Sequence, residues 1–187
     1  KYRDHFLVRY VYGFNTSDYA YFVTVQKKSH LPGQDETGYI SRLARTCITD
    51  ANYDSYTEIT LSCEGRRGVY NLIQDAKLAS AGSDLAASMG IYPGDPILVA
   101  TFAPSKGHTV EAVEGAAVCL YSIKYIEAKF NENIHMCFNG SMQHRGMEYI
   151  SGLINDGQCP AAGVSNRNFL HLILFLLLFG HSIASTR

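Results

Sequence analysis

Ser41-Arg42-Leu43-Ala44-Arg45-Thr46-Cys47-Ile48-Thr49-Asp50 is the stretch on which the fold turns. It lies in a run from Tyr39 to Cys47 in which Ile40, Arg42, Leu43, Ala44 and Arg45 roughly alternate in polarity, closed by the turn residues Thr49-Asp50-Ala51-Asn52. A short alternating run bounded by turn residues predicts a strand. The following run, Tyr56 to Cys63, alternates cleanly. Successive strand side chains point to opposite faces, so Thr57, Ile59, Leu61 and Cys63 share one face, expected to be buried. Tyr56, Glu58, Thr60 and Ser62 line the other.

Working outward, Phe6 to Tyr12 is apolar and aromatic, stops at Gly13, and is followed by turn residues Asn15 to Asp18 and a second run, Tyr19 to Val25. That pair predicts an antiparallel hairpin. Leu31-Pro32-Gly33-Gln34-Asp35-Glu36 is a polar loop. Val69 to Ala76 and Ile97 to Ala103 are further strands; the second, between Pro96 and Pro104, suits burial on both faces. Ser83 to Gly90 predicts a short helix, with Ser83 as N-cap and Gly90 as its stop. Ala116 to Ile123 makes one more strand and runs into Lys124 to Ile134, where Ile126, Phe130 and Ile134 recur at helical spacing. Met147 to Ile154 is a second short helix, closed by Asn155-Asp156-Gly157. Six or seven regularly spaced strands with little helix predict an all-β sandwich, barrel or propeller, and spacing does not choose among them.

The 187 residues suffice for one domain with a sizeable core. A net charge of -1, with 18% charged residues, offers no field for nucleic acid or an acidic substrate. The basic pairs Lys27-Lys28 and Arg66-Arg67 read as solvated loops. The chain starts at Lys1 with neither initiator Met nor signal peptide and reads as an internal piece of a longer protein. Its five cysteines, at 47, 63, 119, 137 and 159, form no C-x-x-C pair, against a zinc ribbon or thioredoxin-type site. Two sequons, Asn15-Thr16-Ser17 and Asn139-Gly140-Ser141, stand beside these widely spaced cysteines. The combination fits an oxidising, extracellular compartment. His135, Cys137 and His144 are the best approach to a zinc set, but a disulfide at Cys137 is the simpler reading. There is no H-E-x-x-H, nucleophile elbow or phosphate loop, so neither catalysis nor a cofactor is expected.

Two segments decide the fold. Ser41 to Asp50 resembles the signature strand of sema domains, Ser-Arg-hydrophobic-x-Arg-x-Cys-x-x-Asp, and Ala116-Ala117-Val118-Cys119-Leu120-Tyr121-Ser122-Ile123 resembles that family's small pair, cysteine and strand entering a helix. Tyr53-Asp54-Ser55-Tyr56-Thr57-Glu58-Ile59, followed by Cys63, is similar to plexins; semaphorins usually carry a tryptophan here, and this chain has none. The resemblance runs from about Asp4 to Gly163. It implies a partial seven-bladed β-propeller, about the third to fifth blades plus part of the helical extrusion that follows the fifth. Residues 1–163 would be the partial sema domain and 164–187 a non-matching tail.

The family pattern implies disulfides Cys63–Cys119 and Cys137–Cys159, with Cys47 unpaired because its partner would lie beyond the match. It also implies a cell-surface, extracellular receptor module that engages a semaphorin sema domain, with plexin self-association as a second partner. Membrane attachment would come only through other parts of the receptor. Met142, Gln143, His144 and Arg145, with Asn155, Asp156 and Gly157, are the implied ligand-binding residues, along with the Leu31–Glu36 loop. Asn15 and Asn139 are the implied glycosylation sites. A semaphorin-like secreted ligand and a truncated soluble decoy are the alternatives. In the tail, the apolar run Phe169 to Phe179 would span roughly 17 Å as a helix, short of the ~30 Å hydrocarbon core. Intron-derived or alternative-exon sequence, an anchor signal and a membrane-surface segment are its three readings.

Overall fold

The computed structural model describes residues 8–28, 38–51, 53–65 and 68–138, with side chains to His135. Its first unit is a four-stranded antiparallel meander in the order β1-β2-β3-β4: Val8–Asn15, Tyr19–Lys27, Tyr39–Cys47 and Thr57–Leu61. A small hairpin of β5 (Cys63–Gly65) and β6 (Gly68–Tyr70) follows. The second sheet is a three-stranded meander of β7 (Leu72–Ser80), β8 (Pro96–Ala103) and β9 (Ala117–Ser122). Helix α1 (Ser83–Met89) lies between β7 and β8, and α2 (Ile123–Phe138) continues directly from β9.

The strand faces explain the packing. Tyr21, Val23 and Val25 on β2 are buried with Leu43 on β3 and Ile59 and Leu61 on β4. The same cluster takes Leu72, Ile73 and Ala76 from β7, Leu98, Ala100 and Phe102 from β8, and Ile123, Ile126 and Phe130 from α2. The two sheets and α2 therefore share one core, with α2 buried along the 3.6-residue stripe its sequence spelled out. Thr57, Ile59, Leu61 and Cys63 are all buried, as their alternation predicts. Glu58, on the opposite face, is buried as well, because Arg42, Gln26 and Tyr56 surround its carboxylate. The Tyr56–Cys63 run is broken into two strands at Ser62, where the chain leaves one sheet for the hairpin.

Gly82, not Ser83, occupies the N-cap of α1, and no side chain caps it. Gly90 ends the helix at φ 65°, in the left-handed region where a Cβ is strained, and its N–H bonds back to Ala86 and Ala87. Among the described residues no helix is long and apolar enough to cross a membrane. The Met147–Ile154 helix, the Leu31–Glu36 loop and the apolar run Phe169 to Phe179 lie outside the described residues.

Candidate interaction surface

The ten signature residues are almost wholly spent on the interior. Ser41 is fully buried where the two sheets meet. Its Oγ donates to the Asn71 carbonyl at 2.7 Å and accepts from the Ile73 N–H at 2.8 Å. Asn71 extends the seam: its Nδ2 donates to the Tyr39 carbonyl at 3.0 Å and its Oδ1 accepts from the Ser105 N–H at 3.1 Å. Arg42 and Arg45 are each only 1% exposed, on opposite faces of β3, and each is matched to a carboxylate. Arg42 Nη1 lies 3.5 Å from Glu58. Glu58 also accepts from Gln26 Nε2 at 2.8 Å and from the Tyr56 hydroxyl at 2.6 Å.

Arg45 reaches α2. Its Nη1 pairs with Glu127 at 2.5 Å, and the guanidinium lies between two rings, 4.2 Å from the centroid of Tyr19 and 4.5 Å from that of Phe130. Cation–π contact on both flanks compensates a charge taken out of water. The Tyr21 hydroxyl donates to the same Glu127, and Tyr21 stacks on Phe14 with centroids 4.6 Å apart. Burial, then the hydrogen bond and charge of Glu127, hold the Tyr21 phenol well above the usual tyrosine range. Tyr56 is raised in the same way by burial and Glu58, and Tyr121 by burial alone. The motif ends in a pinned turn. Ser55 Oγ accepts from the Cys47 N–H at 2.8 Å, and the Asp50 carboxylate accepts from the Ser55 N–H at 2.6 Å.

Cys63 and Cys119 form a disulfide, Cα–Cα 5.8 Å, that ties the β5–β6 hairpin to the outer strand of the second sheet. The Tyr121 hydroxyl donates to the Ser62 carbonyl at 2.7 Å beside it. Cys47 corrects an expectation: it is disulfide-bonded rather than unpaired. The family pattern put its partner beyond the match, whereas here Cys47 is bonded. The expected Cys137–Cys159 pair also falls outside the described side chains, as do Asn139, Met142, Gln143, His144, Arg145, Asn155, Asp156 and Gly157. Asn15 is described, exposed, at the end of β1. Among the described residues no three His, Cys, Asp or Glu side chains are grouped to hold a metal.

What the interior leaves exposed is an aromatic surface that the sequence alone did not reveal. Tyr10 is 69% exposed and Tyr53 68%, with Phe22 partly exposed between the strands. Tyr10 and Phe22 meet edge to face, centroids 6.1 Å apart. With Gly13, Thr46 and Tyr56 they line an open groove of about 660 Å³. Tyr53 stands at φ 58°, a left-handed conformation that a bulky residue rarely adopts. The only signal in the sequence was the aromatic content of the two strands; the register that sets Tyr10 and Phe22 on one face comes from the fold.

Antiparallel meanders set face to face, stapled by a disulfide and braced by a helix, are the parts of a propeller-type binding module. The Sema domain family model matches residues 73–175, more than half of the chain, and the chain belongs to that family. Human Plexin-A4 is 33% identical over 139 residues, and zebrafish Plexin-A4 34% over 144, each match covering 72% of this chain. The chain spans only 7% and 8% of those two relatives. The solved full extracellular region of Plexin A4 superposes with a TM-score of 0.67 at 25% identity, over 86% of this chain and 18% of that one.

Proposed function

We propose that this chain is part of the extracellular, non-catalytic ligand-binding region of a plexin-type receptor, and that its partner is a semaphorin sema domain. One observation supports the reading above others: Ser41, Arg42 and Arg45 of β3 are buried and partnered within the fold, so the module's chemistry is architectural and its exposed rims are left for protein contact. Residues 1–163 are the sema-type unit in this reading, and 164–187 stand apart from it. The contacts assigned to the partner are Met142, Gln143, His144 and Arg145, with Asn155, Asp156 and Gly157. Asn139 carries a glycan beside them.

Surface plasmon resonance of the full chain, with its Cys63–Cys119 bond verified, against immobilised semaphorin sema domains tests this. Saturable binding is expected, and Arg145→Glu weakens it about tenfold, the scale of a charge reversed within an interface. Absence of saturable binding by chain carrying that disulfide sinks the proposal.

A further inference from the structure

Asn15 is the last residue of β1, exposed at the tip of the β1–β2 hairpin, and opens the sequon Asn15-Thr16-Ser17. Its register partner is Ala20, while Gly13 pairs with Phe22 and Tyr10 with Thr24. Strand parity therefore puts Asn15, Gly13, Phe22 and Tyr10 on one face of the sheet, the face that carries the aromatic groove. Gly13 lines that groove, and Asn15 is two residues further along the strand, about 7 Å away at ~3.4 Å per residue. We propose that Asn15 carries an N-linked glycan whose first sugars lie over the groove lined by Tyr10, Phe22 and Tyr53. This rests on the extracellular reading of the chain.

The local geometry admits the modification. Asn15 Nδ2 donates only to the adjacent Thr16 carbonyl, at 3.1 Å, and Ser17 Oγ, the sequon hydroxyl, is exposed and donates to Asp18 at 3.0 Å. Transfer from a lipid-diphosphate-linked oligosaccharide forms the Nδ2–C1 bond and breaks the C1–O bond to the diphosphate leaving group. It releases one amide proton; the other amide hydrogen remains, so the bond to Thr16 survives. Pyranose rings present apolar C–H faces, and the groove presents aromatic ones. Tyr10 and Tyr53 are more than two-thirds exposed without this cover, which makes the patch an aggregation liability.

The test uses the full chain with Asn139→Gln, secreted behind a borrowed signal peptide, so that one sequon remains. Peptide mapping after release by a glycan-specific amidase in heavy-oxygen water, which hydrolyses the Cγ–Nδ2 bond and expels the glycosylamine, is expected to find Asn15 converted to labelled Asp. Unmodified Asn15 in chain whose Cys63–Cys119 bond has formed overturns the proposal and leaves the extracellular reading standing. Free thiols at both cysteines overturn both. Trimming the glycan from the already folded protein is then expected to raise apolar-dye binding about twofold. The rise should vanish in a Tyr10→Ser/Tyr53→Ser variant. No rise on trimming overturns the placement of the sugars over the groove.

Discussion

Arg45 carries a full charge at almost zero exposure, and its neighbours explain how. Glu127 supplies the counter-charge, Tyr19 and Phe130 supply ring faces, and Tyr21 holds Glu127 in place from the other side. Replacing Arg45 by Met strands Glu127 against the sheet. Because the Glu127 carboxylate keeps 26% exposure, the expected loss is about 3 kcal/mol, the low end for a broken buried pair. Urea denaturation measures it, and Arg45→Met with Glu127→Gln should regain part of the loss. Arg45→Lys should not rescue, since an ammonium cannot lie flat between two rings. The tyrosines give a second prediction. The phenols of Tyr21, Tyr56 and Tyr121 are raised in the fold, so the native state holds their protons after the unfolded chain, near pH ~10, has released them. Above that pH the unfolded state binds fewer protons, and stability falls as pH rises, having been fully present below it. Urea midpoints that stay flat from about pH 8 to 11 would contradict this; Tyr21→Phe should shallow the decline.

At the scale of elements, the Cys63–Cys119 bond holds the β5–β6 hairpin to the second sheet, and the Ser41 seam holds the first sheet to the second. The disulfide spans 56 residues, so by chain entropy its removal as Cys63→Ser/Cys119→Ser costs about 4 kcal/mol. Ser41→Ala leaves the Ile73 N–H without its buried acceptor and should cost about 1–3 kcal/mol. Calorimetry of both variants checks the order; a Ser41 variant that equals the disulfide variant would mean the seam carries more than one hydrogen bond's worth. Legibility differs between these features for physical reasons. The strands were readable because a half-buried strand must alternate, as Tyr56 to Cys63 does. The α2 face was readable because Ile126, Phe130 and Ile134 fall on one stripe. Ser41, Arg42 and Arg45 could be recognised as a pattern but not understood: their burial depends on Asn71, Glu58 and Glu127, residues brought to them only by tertiary structure. The aromatic groove was hidden for the same reason, since β1, β2 and the Tyr53 turn meet only in the folded sheet.

For the molecule as a whole, the core joins two meanders and a helix, but the described residues also present surfaces that a closed propeller would cover. Strand β1 pairs only with β2 and β9 only with β8, so each has an open backbone edge among the described strands. Val118 and Leu120 are exposed on β9, and Tyr10 on β1. Open edges and apolar faces recruit other chains, and a propeller removes them by closing its ring. The isolated chain is therefore expected to be poorly secreted and to self-associate, with a broad, concentration-dependent melt. Analytical ultracentrifugation across a concentration series, paired with calorimetry, measures both properties on one sample. A monomer at every concentration with a sharp two-state transition would show that the edges are satisfied within the chain. Lys substitutions at Val118 and Leu120 separate the contributions. If β9 is the associating edge, two charges on it should restore the monomer while leaving the Cys63–Cys119 bond intact. If association persists, the β1 edge and its aromatic face drive it, and Tyr10→Lys should then be the substitution that works.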